Sequence, residues 1–220
     1  MTQVSIDRIQ KEIYLNESKL QHIGCYEFFQ LIMDGLHEEL QHLSNTFFAH
    51  ENPPKYVFAL NEATWVGLLN NVIIRVFGNQ AYSLQEMGIY QHGKYFGRAD
   101  YIVHWRGSEG SGPICFLFEA KQYEETSIKK MQEDVSLYLN SIHTQGQGYY
   151  IANREYYRDV QVFIVSIAFG WMRNKELIKE ANNYQGFQYQ NDESVDFCSL
   201  YCTQEDGVWL YGKLYNAMQD

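Results

Sequence analysis

Proline and cysteine are both scarce in this chain of 220 residues, with three prolines and four cysteines. No proline-, serine- or glycine-rich tract is long enough to act as a linker, so the sequence predicts a single domain over residues 1–220. The cysteines show no disulfide framework, and no second Cys/His pair stands at zinc-site spacing from Cys198 and Cys202. We therefore expect reduced thiols and a cytoplasmic protein.

Long apolar runs and excess positive charge are also lacking. No stretch approaches the roughly 18 apolar residues of a membrane-spanning helix, and residues 1–17 lack the apolar centre of a signal peptide. The formal net charge is −10, which argues against loose binding to polyanions but leaves room for a local cationic groove. Hydrophobic residues make up 45% of the chain, so we expect a folded core and no membrane partner.

The first half of the chain has helical periodicity. Apolar residues recur at near-helical spacing in residues 4–15, 25–43 and 61–77. Asn61 is a suitable N-cap for the third helix, and Glu62 follows in its first turn. We predict a helical N-terminal extension over residues 1–55, which could form a homodimer interface or one wall of a substrate groove.

Strand patterns follow. Residues 81–90, 99–105 and 114–123 are predicted strands, and residues 126–142 return to helical spacing. The continuous apolar run over residues 159–171 is typical of a strand buried on both faces. The predicted fold class is α/β, with a mixed β-sheet flanked by helices. Its core spans residues 60–170, and residues 171–220 add C-terminal strands and loops.

The third predicted strand is apolar at its start and charged at its end. Glu119 and Lys121 are two residues apart, so their side chains share a face. Asp100 begins the preceding strand, and a hairpin can bring it beside Glu119. Two close carboxylates repel unless a cation lies between them, and a hard divalent ion such as Mg²⁺ suits oxygen ligands. The strand end is therefore a candidate metal-dependent phosphodiesterase site.

The sequence Gly97-Arg98-Ala99-Asp100, followed after eighteen intervening residues by Glu119-Ala120-Lys121, resembles the PD-(D/E)XK nuclease superfamily. The resemblance covers residues 60–170 and implies a restriction-endonuclease-like core. It implies a nuclease that acts in defence or repair, with Mg²⁺ or Mn²⁺ as cofactor. DNA is the expected substrate, and the sequence leaves RNA open as the alternative.

The same resemblance assigns roles to individual residues. Asp100 and Glu119, with the Ala120 carbonyl, would be metal ligands. Lys121 would be the catalytic lysine, and Glu62 the acid of the preceding helix. Arg98 and Gln132 would contact the substrate.

Two positions depart from the superfamily pattern, and alternatives stay open. Ala99 replaces the proline before Asp100, and Ser136 stands where a tyrosine would follow Gln132 in the exonuclease-like branches. Glu119 and Lys121 could instead form a surface ion pair, and the helix dipole alone favours Glu62 in a first turn. The alternative function is a catalytically idle nuclease-fold protein that binds or regulates a basic partner through its acidic surface.

Overall fold

The computed structural model describes residues 10–48, 60–91, 94–107, 112–123, 128–172, 195–202 and 206–218. The four helices among them are α1 (Glu17–His22), α2 (Tyr26–Phe48), α3 (Glu62–Phe77) and α4 (Ile128–Asn153). The seven strands are β1 (Gln10–Leu15), β2 (Ala81–Gln91), β3 (Lys94–Trp105), β4 (Ile114–Tyr123), β5 (Gln161–Met172), β6 (Phe197–Cys202) and β7 (Gly207–Asn216).

All seven strands belong to one mixed sheet with the order β1-β6-β7-β5-β4-β3-β2. Strands β2, β3 and β4 pair antiparallel in succession, whereas β4 and β5 are parallel. Parallel neighbours need a crossover connection, and α4 provides it. The predicted α/β class, with a mixed sheet flanked by helices, is confirmed.

The sheet is covered on both faces. Helices α2 and α3 pack on one face, where the largest apolar cluster contains Phe28, Phe116 and Phe163. The rings of Phe28 and Phe116 stack with centroids 4.3 Å apart. The opposite face carries a smaller cluster that joins Leu117 of β4 and Ile164 of β5 to the helical residue Tyr149. The result is a three-layer arrangement in which, of the four described α-helices, α4 is the one on the second face.

The predicted helical N-terminal extension over residues 1–55 is wrong in two respects. Residues 10–15 form strand β1, which pairs antiparallel with β6 from Gln10↔Cys202 to Leu15↔Phe197. Helix α2 is part of the main core, because Phe28 and Phe29 are fully buried in the largest cluster. Of this predicted extension, residues 1–9 and 49–55 lie outside the described residues.

The core also extends beyond the predicted boundary at residue 170. Strand β7 pairs with β5 over ten residues, from Phe163↔Asn216 to Met172↔Gly207. Strand β6 then joins β7 to β1, so the C-terminal strand pair is an integral part of the sheet. None of the described helices is long and apolar enough to cross a membrane.

Candidate active site

Asp100 and Glu119 lie where the pairing of β3 with β4 ends. The ladder runs from Trp105↔Ile114 to Tyr101↔Phe118, so the next residue on each strand is one of these acids. Beyond the ladder, the backbone N–H of Ala120 donates to Asp100 Oδ2 at 2.8 Å. The Asp100 side chain thus accepts a β4 backbone N–H just past the end of the ladder, and this hydrogen bond fixes its position. The Asp100 carboxylate also lies within hydrogen-bonding distance of the Glu119 carboxyl.

Strand alternation places the charged side chains at the end of β4 on the face that α4 covers. Cys115 and Leu117 belong to the cluster on the α4 face, so Glu119 and Lys121 point to the same face. Glu119 is only 3% exposed. It lies against α4 at Gly146, where a Cβ added to the glycine would come within 3.4 Å of Glu119 Cγ.

Helix α3 brings a third carboxylate to this end of the sheet. Asn61 Oδ1 accepts from the Thr64 N–H at 2.9 Å, which caps the helix and makes Glu62 its first residue. Glu62 Oε1 lies 3.4 Å from Lys121 Nζ, and Glu62 Oε2 accepts from the Gln122 N–H at 3.4 Å. The helix start therefore contacts the end of β4 directly.

Lys121 lies between two carboxylates. Its Nζ atom is 3.4 Å from Glu62 Oε1 and 3.6 Å from Asp100 Oδ2. The side chain is 31% exposed, so the ammonium is partly open to solvent or to a bound molecule. The four residues Asp100, Glu119, Lys121 and Glu62, which the superfamily resemblance assigns to one site, thus lie close together.

Burial and neighbouring charge set the protonation of this cluster. Burial, followed by the charge of Asp100, raises the pKa of Glu119 to about 8, although Lys121 partly offsets this. Burial lowers the pKa of Lys121, but the carboxylates of Asp100, Glu62 and Glu119 outweigh it, and the net shift is upward. At neutral pH Lys121 is therefore charged, and Glu119 holds a proton that it can share with Asp100.

The donor set fits a hydrated hard cation. Asp100 and Glu119 offer two carboxyl groups, and Mg²⁺ is commonly held by one or two carboxylates with water completing its shell. Within the described part of the chain, no group of three or more His, Cys, Asp or Glu side chains is arranged to hold a metal ion. Glu62 already contacts Lys121 and Gln122. The ligand role of the Ala120 carbonyl stays a prediction.

For the two predicted substrate-contacting residues, Arg98 and Gln132, the structure describes the backbone position only. Arg98 lies in β3, two residues before Asp100, and Gln132 lies in α4, near its start. Their side chains lie outside the described ones. Their contact with substrate therefore also stays a prediction.

One residue beside the site was missed from the sequence. Ser166 of β5 is the register partner of Glu119 and is fully buried. It is the one hydroxyl-bearing residue in the apolar stretch from Val162 to Trp171. A single hydroxyl in a strand buried on both faces was the signal that could have identified it.

Comparison of the chain with protein-family models, curated proteins and solved structures gave no match. The functional interpretation therefore depends on the geometry of the site and on the resemblance of its motif.

Proposed function

We propose that the protein is a divalent-metal-dependent nuclease that hydrolyses phosphodiester bonds of DNA. One observation carries the proposal: Asp100, Glu119, Lys121 and Glu62 converge where β3 and β4 end, with Lys121 held between two of the carboxylates. Buried acids in contact with one another are costly unless a proton or a cation is shared between them. A divalent ion is the ligand that this acid pair suits.

Asp100 and Glu119 would hold the ion, Mg²⁺ or Mn²⁺, with the Ala120 carbonyl as a further ligand. When bound, such an ion supplies positive charge that polarises a phosphoryl oxygen and makes a nearby water more acidic. The chain itself orients the two acids. The Ala120 N–H fixes Asp100, and α4 shields Glu119 from bulk water. Glu119 would release its proton as the ion binds.

Lys121 would place a positive charge beside the scissile phosphate. The charge is most valuable where negative charge develops during the reaction, because it is already oriented before the reaction begins. Glu62 orients it through the 3.4 Å contact between Oε1 and Nζ. The partial exposure of Lys121 leaves the ammonium accessible to a phosphate group.

The order of elements supports the same proposal. Helix α3 is followed by the antiparallel succession β2, β3 and β4, then by α4 and the parallel strand β5. The superfamily resemblance of residues 60–170 implies this order around an acidic residue and an E-x-K motif. We propose that the core is restriction-endonuclease-like, with β7, β6 and β1 widening the sheet beyond β5.

The test is incubation of the purified protein with supercoiled plasmid and with single-stranded DNA, in Mg²⁺, Mn²⁺ or EDTA. An RNA substrate in parallel distinguishes the two nucleic acids. We expect nicking or degradation of DNA that needs the divalent ion and stops in EDTA. Absence of cleavage of any substrate, together with absence of ion binding by calorimetry, would remove the proposal.

The net charge of −10 favours a second candidate function. A nuclease-fold protein without activity could bind a basic protein through its acidic surface. Such a protein would have no need to keep clustered charge in a buried site, and the Glu119 site is an argument against it. The cleavage and ion-binding assays distinguish the two candidates.

A further inference from the structure

A polar row crosses the sheet at the level of Glu119. Glu119 of β4 is in register with Ser166 of β5, and Ser166 is in turn paired with Lys213 of β7. Val162 and Ile164 belong to the cluster on the α4 face, so alternation places Ser166 on that face as well. Ser166 is therefore the immediate neighbour of Glu119 on the adjacent strand and on the same side of the sheet.

The Ser166 hydroxyl has an unused hydrogen-bonding capacity. The residue is fully buried, and within the described part of the protein its Oγ atom has no hydrogen-bond partner. Leaving such a buried group unsatisfied is costly, so native proteins seldom keep one without a partner. Helix α4 closes the space above, because Gly146 lies close to both Ile164 and Glu119.

The Glu119 carboxyl has free capacity to accept a hydrogen bond. A carboxyl group has two oxygens with about four acceptor sites between them. Asp100 is the hydrogen-bond partner that the structure gives for the Glu119 side chain. Lys121, the nearest cation, contacts Glu62 and Asp100. A carboxyl this deeply buried needs a further donor if its orientation toward a ligand is to be fixed.

We propose that Ser166 is a positioning residue of the site. Through one ordered water, its hydroxyl donates to the Glu119 oxygen that Asp100 does not engage. This inference rests on the proposed function, because the orientation it fixes is the one in which Glu119 binds the divalent ion. Ser166 does not touch the ion or the substrate and acts through Glu119 alone. Hydrogen-bonding partners of metal ligands have this role in other metal sites.

Ser199 provides a matched control within the same sheet. It is also fully buried, and within the described residues its hydroxyl makes no hydrogen bond to a carboxyl group. Its register partners are Ile13 and Leu210, so no carboxyl lies opposite it on either neighbouring strand. The same substitution at the two positions therefore separates the effect of losing a buried hydroxyl from the effect on Glu119.

The experiment compares wild type, Ser166→Ala, Ser166→Thr and Ser199→Ala, with two measurements on each. The first is the carbon NMR resonance of the Glu119 carboxyl in protein labelled at glutamate, in EDTA, identified by its loss in Glu119→Gln. The second is Mn²⁺ affinity by calorimetry. We expect Ser166→Ala to move the resonance and to weaken Mn²⁺ binding about tenfold. Ser166→Thr should restore both, and Ser199→Ala should change neither.

The outcomes separate this inference from the proposed function. A Glu119 resonance that is unmoved in Ser166→Ala overturns the positioning role whatever the metal does. Equal loss of Mn²⁺ affinity in Ser199→Ala also overturns it, because the effect would then be general to the core. A moved resonance in a protein that binds no ion and cleaves no DNA upholds the contact and removes the nuclease proposal. If Ser166→Ala does not fold, Ser166→Thr and Ser166→Val are compared instead. Threonine and valine have the same shape, so the two variants differ only in the presence of the hydroxyl.

Discussion

Glu62 Oε1 lies 3.4 Å from Lys121 Nζ, although the two residues are 59 positions apart in the chain. The contact joins the first residue of α3 to the end of β4, and the same carboxylate accepts the Gln122 N–H. A first-turn acid is favoured by the helix dipole, but that effect is local and does not require a lysine opposite. Here the acid orients the one lysine of the E-x-K motif.

Replacing Lys121 by alanine should remove cleavage and leave ion binding largely intact. In the proposed mechanism the ammonium supplies charge to the phosphate and is not a metal ligand, so its loss should lower the rate roughly a hundred- to a thousand-fold. Nicking of supercoiled plasmid gives the rate, and calorimetry gives the Mn²⁺ affinity.

Lys11→Ala is the control for this change, because Lys11 forms an exposed ion pair with Asp34 on the surface. It should cleave at the wild-type rate. If Lys121→Ala also cleaves at that rate, the active site is elsewhere in the chain.

Asp100→Asn should weaken both ion binding and cleavage. The amide oxygen can still accept the Ala120 N–H, so this hydrogen bond is retained, but one of the two carboxylates proposed to hold the cation loses its charge. We expect the Mn²⁺ affinity to fall at least tenfold, because changing only the hydrogen-bonding partners of a metal ligand already costs that much and here the proposed ligand itself changes. Calorimetry measures this.

Asp34→Asn is the matched control, because Asp34 is half exposed in its ion pair with Lys11. It should bind Mn²⁺ as wild type does. Equal affinity in Asp100→Asn and wild type would place the ion at other ligands.

Local sequence signals predicted the elements around the site well. The N-cap Asn61 and the apolar spacing after it placed α3 within one residue, and the apolar run before Glu119 placed β4. Strand alternation then predicted that Glu119 and Lys121 share a face. These inferences depend on interactions between residues close in the chain, which a sequence displays directly.

Features that depend on distant partners were not predicted. Strand β1 carries Ile13 and Leu15 on alternate positions, but its partner β6 lies at the other end of the chain, and the local pattern also fits helical spacing. Helix α4 continues to Asn153, past Gly146 and Gly148, where the sequence predicts an end near residue 142. Tertiary packing overrides the low helix propensity of glycine there.

The contribution of Glu119 to the stability of the metal-free protein should fall as pH rises from about 4.5, its ordinary pKa, to about 8, its pKa in the folded protein. In the native state the pKa of Glu119 is raised to about 8, whereas in the unfolded state it has its ordinary value of 4.5. Between these two pH values the native state therefore binds more protons than the unfolded state. The contribution of Glu119 to the free energy of unfolding then decreases as pH rises. Glu119→Gln cannot ionise and lacks this contribution.

Urea unfolding of wild type and Glu119→Gln in EDTA, from pH 5 to 9, measures this effect. The variant should gain stability relative to wild type as pH rises through the window, and the difference should level off above it. Parallel profiles for the two proteins would mean that Glu119 is ionised in the native state throughout.

Gly146→Ala should destabilise the protein even though alanine is the better helix former. A Cβ at this position would lie 2.5 Å from Ile164 Cγ2 and 3.4 Å from Glu119 Cγ, so α4 would have to move away from β4 and β5. Overpacking of this kind typically costs about 1–3 kcal/mol, which exceeds the gain of about 1 kcal/mol in helix propensity. The movement would also loosen the cover over Glu119.

Gly148 of the same helix offers the matched control, because nothing lies within 4 Å of a Cβ built there. Gly148→Ala should therefore raise the free energy of unfolding by up to about 1 kcal/mol, through helix propensity alone. Urea unfolding of the two variants measures the contrast, and Mn²⁺ calorimetry shows whether Gly146→Ala also weakens the site. If both variants were stabilised equally, α4 would not lie close enough to β4 and β5 to shield Glu119, and the burial that raises its pKa would need another source.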